Sequence, residues 1–512
     1  MLVKTFGSAV QGVDAFTITI EVNLSTPFGF AMVGLPDNAV RESKERIASA
    51  IRQSGFKWPR ARIVINMAPA DVRKEGAAYD LGLAIGVLAA NGQVLSEQLD
   101  RYLIMGELSL DGSLKPFKGV LPMAIQARKE GFKGMIIPAS NALEAAIVNK
   151  LEIIPVANLE EAAGFLNGSI AIEPLTKDTR EIFEVAQSQE GLDFVDVRGQ
   201  ESAKRALEVA AAGGHNLLMI GPPGAGKTML AKRMPGIMPP LTLMEALEAT
   251  KIHSVAGKLG TNASLLATRP FRSPHHTTSD VALVGGGSYP QPGEVSLAHN
   301  GILFLDELAE FKRNVLEVMR QPLEERLITV SRARLSVEFP ANFMLIASMN
   351  PCPCGYYNHP DKECVCGPQN VKRYLSRVSG PLLDRIDLQL EVTPVKFEAL
   401  TGQPKGESSA DVRARVVAAR ERQQKRFQDH PNVYCNAMMP SPMMRKYCNV
   451  GPDGKDLLQK AMDILGFSAR AFDRILKVSR TIADLHDSDE IKSDFVAEAI
   501  QYRNLDRENW AG

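Results

Sequence analysis

The chain has 512 residues, 45% apolar and 23% charged, and its 59 basic side chains balance 59 acidic ones. This is the composition of a soluble globular protein with room for about two to four domains, and zero net charge leaves any nucleic-acid partner to local patches rather than bulk attraction. No apolar run reaches membrane-spanning length, the longest candidate being residues 81–90, interrupted by Gly82 and Gly86, and the opening MLVKTFGSAVQG lacks a signal-peptide core, so a cytoplasmic location and no membrane partner are expected. In chain order, Phe16, Ile18, Ile20 and Val22 alternate and predict a strand over 15–24. Asp37 is placed to cap a helix with Val40, Ile47 and Ile51 on one face, closed by Gly55. A strand over 62–67, an apolar helix over 77–90 and a hairpin over 102–116 turning at Asp111-Gly112 come next. Helix and strand then alternate over 120–130, 134–138, 141–149 and 151–156. The pattern predicts a compact α+β or α/β domain over 1–170 with no catalytic motif of its own.

GELSLDGSLKPFKGVLPMAIQARKEGFKGMIIPASN resembles the C-terminal part of the Lon-protease-type domain, and KEGAAYDLGLAIGVLAA resembles the segment that carries its nucleophile. Where that family has its serine this chain has Ala78, and where it has the dyad lysine this chain has Leu121. Without a hydroxyl and an amine there is no covalent catalysis. Lys115, Lys118, Ser109 and Ser113 read as surface positions. The resemblance therefore implies an inactive Lon-like fold that serves assembly or binds a protein partner.

Residues 171–190 are mixed and polar and read as a linker. The next domain, 191–395, opens at FVDVRGQ, where Val197 and Gly199 are weak candidates for an adenine pocket. Its centre is GHNLLMIGPPGAGKT, a buried strand over 216–220 followed by G-x-x-x-x-G-K-[ST]. In such a loop, here Gly221, Pro222, Pro223, Gly224, Ala225 and Gly226, backbone N–H groups curl around a polyphosphate. The following helix points its positive end at the same charge. Lys227 reaches the terminal phosphates, and the Thr228 hydroxyl can hold Mg²⁺. The motif predicts ATP and Mg²⁺ as cofactors.

GILFLDE, about 80 residues on, is an apolar strand that ends in two carboxylates. Asp306 is placed to hold Mg²⁺ through water and Glu307 to polarise the attacking water. The strand over 342–350 ends at Asn350, a candidate to position that water. Residues 325–339 read as a hairpin carrying Arg326, Arg332 and Arg334. His275 and His276 are adjacent, so their side chains diverge; loop positioning or substrate contact suits them better than a shared metal.

Cys352-x-Cys354, nine intervening residues, then Cys364-x-Cys366 places four thiolates where they can wrap a tetrahedral, structural Zn²⁺. Free thiols and a redox pair are the alternatives, and His359 is able to replace one thiol. Cys435 and Cys448 read as plain cysteines. A basic helix over 411–427 is followed by helical segments to residue 502, which form a helical lid over 396–512.

GPLLDRID resembles the arginine-finger segment of Mg-chelatase and MCM ATPases, which implies that Arg385 reaches a neighbouring subunit's nucleotide. The alternative is an intrachain pair with Asp384 or Asp387. SARAFDR resembles a second-sensor segment, with Arg470 toward the γ-phosphate and Arg474 as its fallback. Nearly the whole chain resembles the ComM/YifB family of Mg-chelatase-like AAA+ proteins, through GHNLLMIGPPGAGKT, FRSPHHTTSD, GEVSLAHNGILFLDE, VSRARLSVEFP, NPCPCG and GPLLDRID. The resemblance implies an α/β fold: an AAA+ P-loop ATPase core with helical lid, behind an α+β Lon-protease-like domain lacking the catalytic dyad. It implies a homo-hexameric, ATP-driven DNA helicase or branch-migration motor that integrates single-stranded DNA in natural transformation. In this branch the hairpin before the third strand points into the pore, which makes Arg326, Arg332 and Arg334 candidate DNA contacts. A Mg-chelatase motor subunit, an ATP-dependent protease and a nucleotide-switched scaffold are the rival readings.

Overall fold

The computed structural model describes residues 2–187, 191–260, 265–287, 289–332, 335–357, 359, 361–395, 406–430 and 432–503. The chain falls into two compact units, Met1–Ser188 with Leu243–Ala267, and Gln189–Thr242 with Thr268–Gly512.

The first unit is built on a seven-stranded mixed sheet. Its strands are β1 (Leu2–Gln11), β2 (Asp14–Ser25), β3 (Gly29–Val33), β4 (Arg62–Ala68), β5 (Tyr102–Ile104), β6 (Gly134–Pro138) and β7 (Glu152–Val156), in the order β3-β4-β2-β1-β5-β6-β7. β1 and β2 pair antiparallel from Leu2↔Asn23 to Gln11↔Asp14. Helix α1 (Asn38–Gln53) starts where Asp37 accepts the Val40 N–H at 2.8 Å. Helix α2 (Asp80–Ala90) is buried along its whole length. Its Asp80 carboxyl is pushed up to about 6 by burial, against the opposing pull of Arg46, whose Nε lies 2.7 Å away.

The expected 102–116 hairpin is smaller in the structure. Tyr102–Ile104 joins the main sheet beside β1 and β6, and only Glu107–Leu108 and Leu114–Lys115 pair across the turn. Ala78 sits in the 3₁₀ turn Ala77–Tyr79, its carbonyl taken by Gly106 N–H at 2.7 Å. Leu121 is fully buried in α3 (Val120–Lys129), and its N–H donates to Glu144 at 3.0 Å. Burial pushes the Glu144 carboxyl up. The same carboxylate accepts the Ser254 hydroxyl from the helix Leu243–Ala256. Lys251 of that helix pairs with Asp14 at 2.9 Å. The stretch expected to run as one domain over 191–395 is thus interrupted, because 243–267 group with the first unit.

The second unit holds an all-parallel sheet of β8 (Leu217–Ile220), β9 (Phe271–Arg272), β10 (Ile302–Leu305), β11 (Met344–Met349) and β12 (Leu388–Glu391), in the order β9-β10-β11-β8-β12. Near-continuous apolar strands such as LLMI and ILFL fit a sheet covered on both faces. Helices α4 (Glu201–Gly213) and α5 (Lys227–Ile237) share its core with the C-terminal helices α6 (Ser409–Arg426) and α7 (Ala469–Leu485). Among the described residues no helix is long and apolar enough to cross a membrane.

The C-terminal helices are locked by one buried carboxylate. Asp484 accepts from Arg426 at 2.8 Å, Arg480 at 3.2 Å and Asn436 at 2.8 Å. Arg480 and Asp484 are each only 3% exposed. Asp484→Ala strands two guanidinium groups in a low-dielectric site. It is expected to cost about 3–5 kcal/mol of stability, read as a lower urea midpoint for the second unit.

Candidate active site

Parallel strands bring their carboxyl ends to one edge, where ligands of open α/β sheets bind. The phosphate loop leaves β8 at Gly221, where a Cβ would lie 2.2 Å from the Val392 carbonyl, so only glycine fits. Lys227, at the start of α5, is 8% exposed. Its ammonium donates to the carbonyls of Gly221 at 2.7 Å and Pro222 at 2.9 Å, and lies 3.3 Å from Asn350 Oδ1. Burial lowers its pKa, opposed by the charges of Asp306 and Glu307.

Asp306, at the end of β10, ties together two strands and the helix that follows the phosphate loop. Its Oδ2 accepts the Thr228 hydroxyl at 2.7 Å. Its Oδ1 accepts the Ser348 hydroxyl from β11 and the Glu307 N–H, the latter at 3.1 Å. Glu307 holds the left-handed backbone, φ +54°, which is uncommon for a side chain of its kind. Its Oε2 lies 3.1 Å from His276 Nδ1. The β9 exit loop delivers His276 to the carboxylate and His275 to Thr277 at 2.9 Å, and the two rings, expected to diverge, instead lie 4.1 Å apart.

Three contributors were missed by the sequence reading. Ser348 lies inside an apolar strand. Gln200, with φ +62°, donates to the carbonyls of Ala225 at 3.3 Å and Thr393 at 2.6 Å, and so braces the loop. Val197, the adenine-pocket candidate, is buried in the hydrophobic core, and Gly199 precedes Gln200. Asn216 is the third: its N–H meets Asp387, its amide donates to Arg385 O, and its Oδ1 accepts Leu345 N–H, each at 2.9 Å. One side chain thus aligns β8, β11 and β12 at their amino ends.

Arg385 and Arg474 lie beside Asn216, at the amino ends of the strands. Arg385 is 8% exposed and binds Glu324 and the Pro381 carbonyl, rather than Asp384 or Asp387. Asp384 takes Arg470 and Asp387 takes Arg474, both at 2.9 Å. Burial disfavours charge on Asp387, yet Arg474 and His215 hold its carboxyl well below the ordinary range. Arg385 and Arg474 line a cavity of about 680 Å³ with Arg326, Lys477, Glu324 and Asp387.

The predicted hairpin forms from Leu327–Arg332 and Leu335–Pro340. Arg326 sits at its base, donating to the Phe343 carbonyl at 2.7 Å. Arg334 and the Arg332 side chain lie outside the described residues.

Cys352, Cys354, Cys364 and Cys366 converge, their sulfurs all within 4.8 Å of one another. Among the described residues this is the one such group able to hold a metal. His359 turns its Nδ1 to the N–H groups of Asp361 and Lys362, both at 3.0 Å, rather than to a thiol. Cys435 and Cys448 are buried and free.

A five-stranded parallel sheet with its phosphate loop, strand-end carboxylates and helical C-terminal region defines an AAA+ P-loop fold. Family models for the magnesium chelatase subunit ChlI match residues 193–400 and, for its C-terminal part, 406–503; a further ChlI model matches 20–141. YifB of Salmonella typhimurium is 45% identical over 503 residues, 98% of this chain and 96% of the relative. The competence protein ComM of Haemophilus influenzae is 44% identical over 510 residues, 99% of this chain and 98% of its own length. Lon protease 2 of Bacillus subtilis matches more narrowly, 29% over 189 residues, 31% of this chain and 33% of the relative. The chain belongs to the Mg-chelatase-like AAA+ family that contains YifB and ComM.

Asn216→Ala leaves the buried Leu345 N–H and Arg385 carbonyl without that partner. A loss of about 2–4 kcal/mol is expected, seen as a lowered denaturation midpoint, with the Lon-like first unit unaffected.

Proposed function

We propose that this chain is an ATP-hydrolysing ring motor that acts on DNA in recombination, in the integration of single strands during transformation. The observation that carries the ATPase part is the shared carboxylate: Thr228 and Asp306, 2.7 Å apart, would hold Mg²⁺ between them and the nucleotide. In this reading the loop 221–226 cradles the phosphates through its N–H groups. Lys227 exchanges its loop carbonyls for phosphate oxygens. Glu307 accepts a proton from water, Asn350 orients that water, and His276 fixes the Glu307 carboxylate. Arg385 would serve the nucleotide of the next subunit in a homo-hexamer, after it leaves Glu324, and Arg470 would reach the γ-phosphate.

DNA as substrate is supported by the 44% identity, over almost the whole length, to a protein named for competence. Arg326, Arg332 and Arg334 on the hairpin are the proposed strand contacts, and the cytoplasm is the proposed location. The four thiolates would hold a structural Zn²⁺. A scaffold or remodeller of a protein partner is the second reading, favoured by a first unit with Ala78 and Leu121 where a peptidase dyad would stand.

ATP hydrolysis measured with and without single-stranded and branched DNA tests both parts. Lys227→Ala is expected to lose nucleotide binding. Glu307→Gln is expected to bind ATP but turn over about 10²–10⁴-fold more slowly. Arg385→Ala is expected to cost about 10³-fold or more in turnover at little cost in affinity. Rates that ignore every DNA would sink the motor reading and select the scaffold.

A further inference from the structure

The cysteine cluster and the phosphate loop touch. β11 ends at Met349, and Asn350, whose Oδ1 is 3.3 Å from the Lys227 ammonium, is followed by Pro351 and the first thiol, Cys352. Three residues later Gly355 has φ +84°, and a Cβ there would lie 2.6 Å from Pro223 Cδ. The knuckle therefore bears on the nucleotide site at two places: on Lys227 through Asn350, and on the loop itself through Gly355.

The sulfur geometry fits a tetrahedral cation. Zn–S bonds of about 2.3 Å put ligand sulfurs about 3.8 Å apart. Cys352 lies 3.3 Å from Cys354 and 3.7 Å from Cys364, and Cys354 lies 3.6 Å from Cys364. Cys352 is fully buried at the end of the sheet, which anchors one ligand rigidly. Metal binding to such a set is coupled to ordering of the loop that carries it.

We propose that Cys352, Cys354, Cys364 and Cys366 hold one Zn²⁺ whose knuckle props the phosphate loop through Gly355 and Pro223, so that metal loading sets the affinity for nucleotide. The proposal rests on the zinc reading above and adds a consequence to it. With the knuckle formed, Gly355 limits outward movement of Pro223 and Asn350 stays within reach of Lys227. With the knuckle open, both restraints go, while the parallel sheet and the Asp306 contacts stay.

Two variants separate the prop from the metal. Cys364→Ser/Cys366→Ser removes half the ligand set. Gly355→Ala keeps all four thiols and forces the contact with Pro223 apart. Zinc per chain is measured by elemental analysis, nucleotide affinity with a fluorescent ATP analogue, and folding by circular dichroism. The expected result is one zinc per chain in the wild type and in Gly355→Ala, little in the double variant, and at least tenfold weaker nucleotide binding in both variants with their secondary structure intact. A wild type that holds no zinc after purification in its presence overturns the zinc reading. A zinc-loaded wild type whose double variant loses the metal yet binds nucleotide within twofold of normal overturns the prop and leaves the zinc in place.

Discussion

The Asp306 carboxylate is the point on which the second unit turns. It terminates one strand, accepts a hydroxyl from the helix that follows the phosphate loop and another from the neighbouring strand. A carboxylate that accepts several hydrogen bonds fixes the groups around it as firmly as they fix it. Three segments far apart in sequence are thereby held at one edge of the sheet. Parallel pairing supplies the coarse alignment, and the carboxylate sets the final one. Asn216 does the matching task at the opposite ends of the strands, with backbone groups in place of hydroxyls.

Charge distribution divides the second unit into two neighbourhoods. Around the phosphate loop, a buried ammonium rests on neutral carbonyls, an arrangement that favours exchange for a stronger acceptor. Around Arg385, Arg470 and Arg474 every guanidinium already has a carboxylate of its own. Their settings differ: Asp387 and Arg385 are buried, so breaking their pairs is expensive, whereas Arg470 and Asp384 meet near solvent and part cheaply. Such pairs suit groups that must stay charged and placed until another partner competes for them. The rigid knot at Asp484 shows the contrasting case, a carboxylate saturated by three donors within the C-terminal helices.

Local chemistry was legible in the sequence, and contacts made by folding were not. The phosphate loop, the strand-end carboxylates and the cysteine quartet announce themselves because each motif lies within a short segment whose residue types have few other uses. β1 escaped notice because its buried positions mix Val3 and Ala9 with the hydroxyls of Thr5 and Ser8. Thr5 and Ser8 are fully buried, and the Thr5 hydroxyl is satisfied by the Gly82 carbonyl at 3.1 Å. A strand that buries hydroxyls loses the alternation by which strands are read. The Tyr102–Ile104 strand was absorbed into a hairpin because its three residues gave no boundary of their own. His276 beside Glu307, Gln200 beneath the loop and Glu324 on Arg385 are tertiary pairings that no spacing rule could supply. The helix Leu243–Ala256 looks like any helix after an ATPase segment, and nothing in its composition names the domain it joins.

That helix gives the chain an unusual order of assembly. Ala246, Ala249, Ile252 and Val255 are buried, and Ser254 donates to a carboxylate contributed by residue 144. A nascent chain leaves the ribosome at about 5–20 residues per second, and domains generally fold as units as they emerge. Here the first unit is complete only once residue 267 is made, after the phosphate loop has already appeared. For several seconds the earlier unit therefore waits on a segment encoded inside the later one. The half that carries the phosphate loop is synthesised while its predecessor is still open along that face. A discontinuous domain of this kind makes the two units one folding problem, however separate their chemistry.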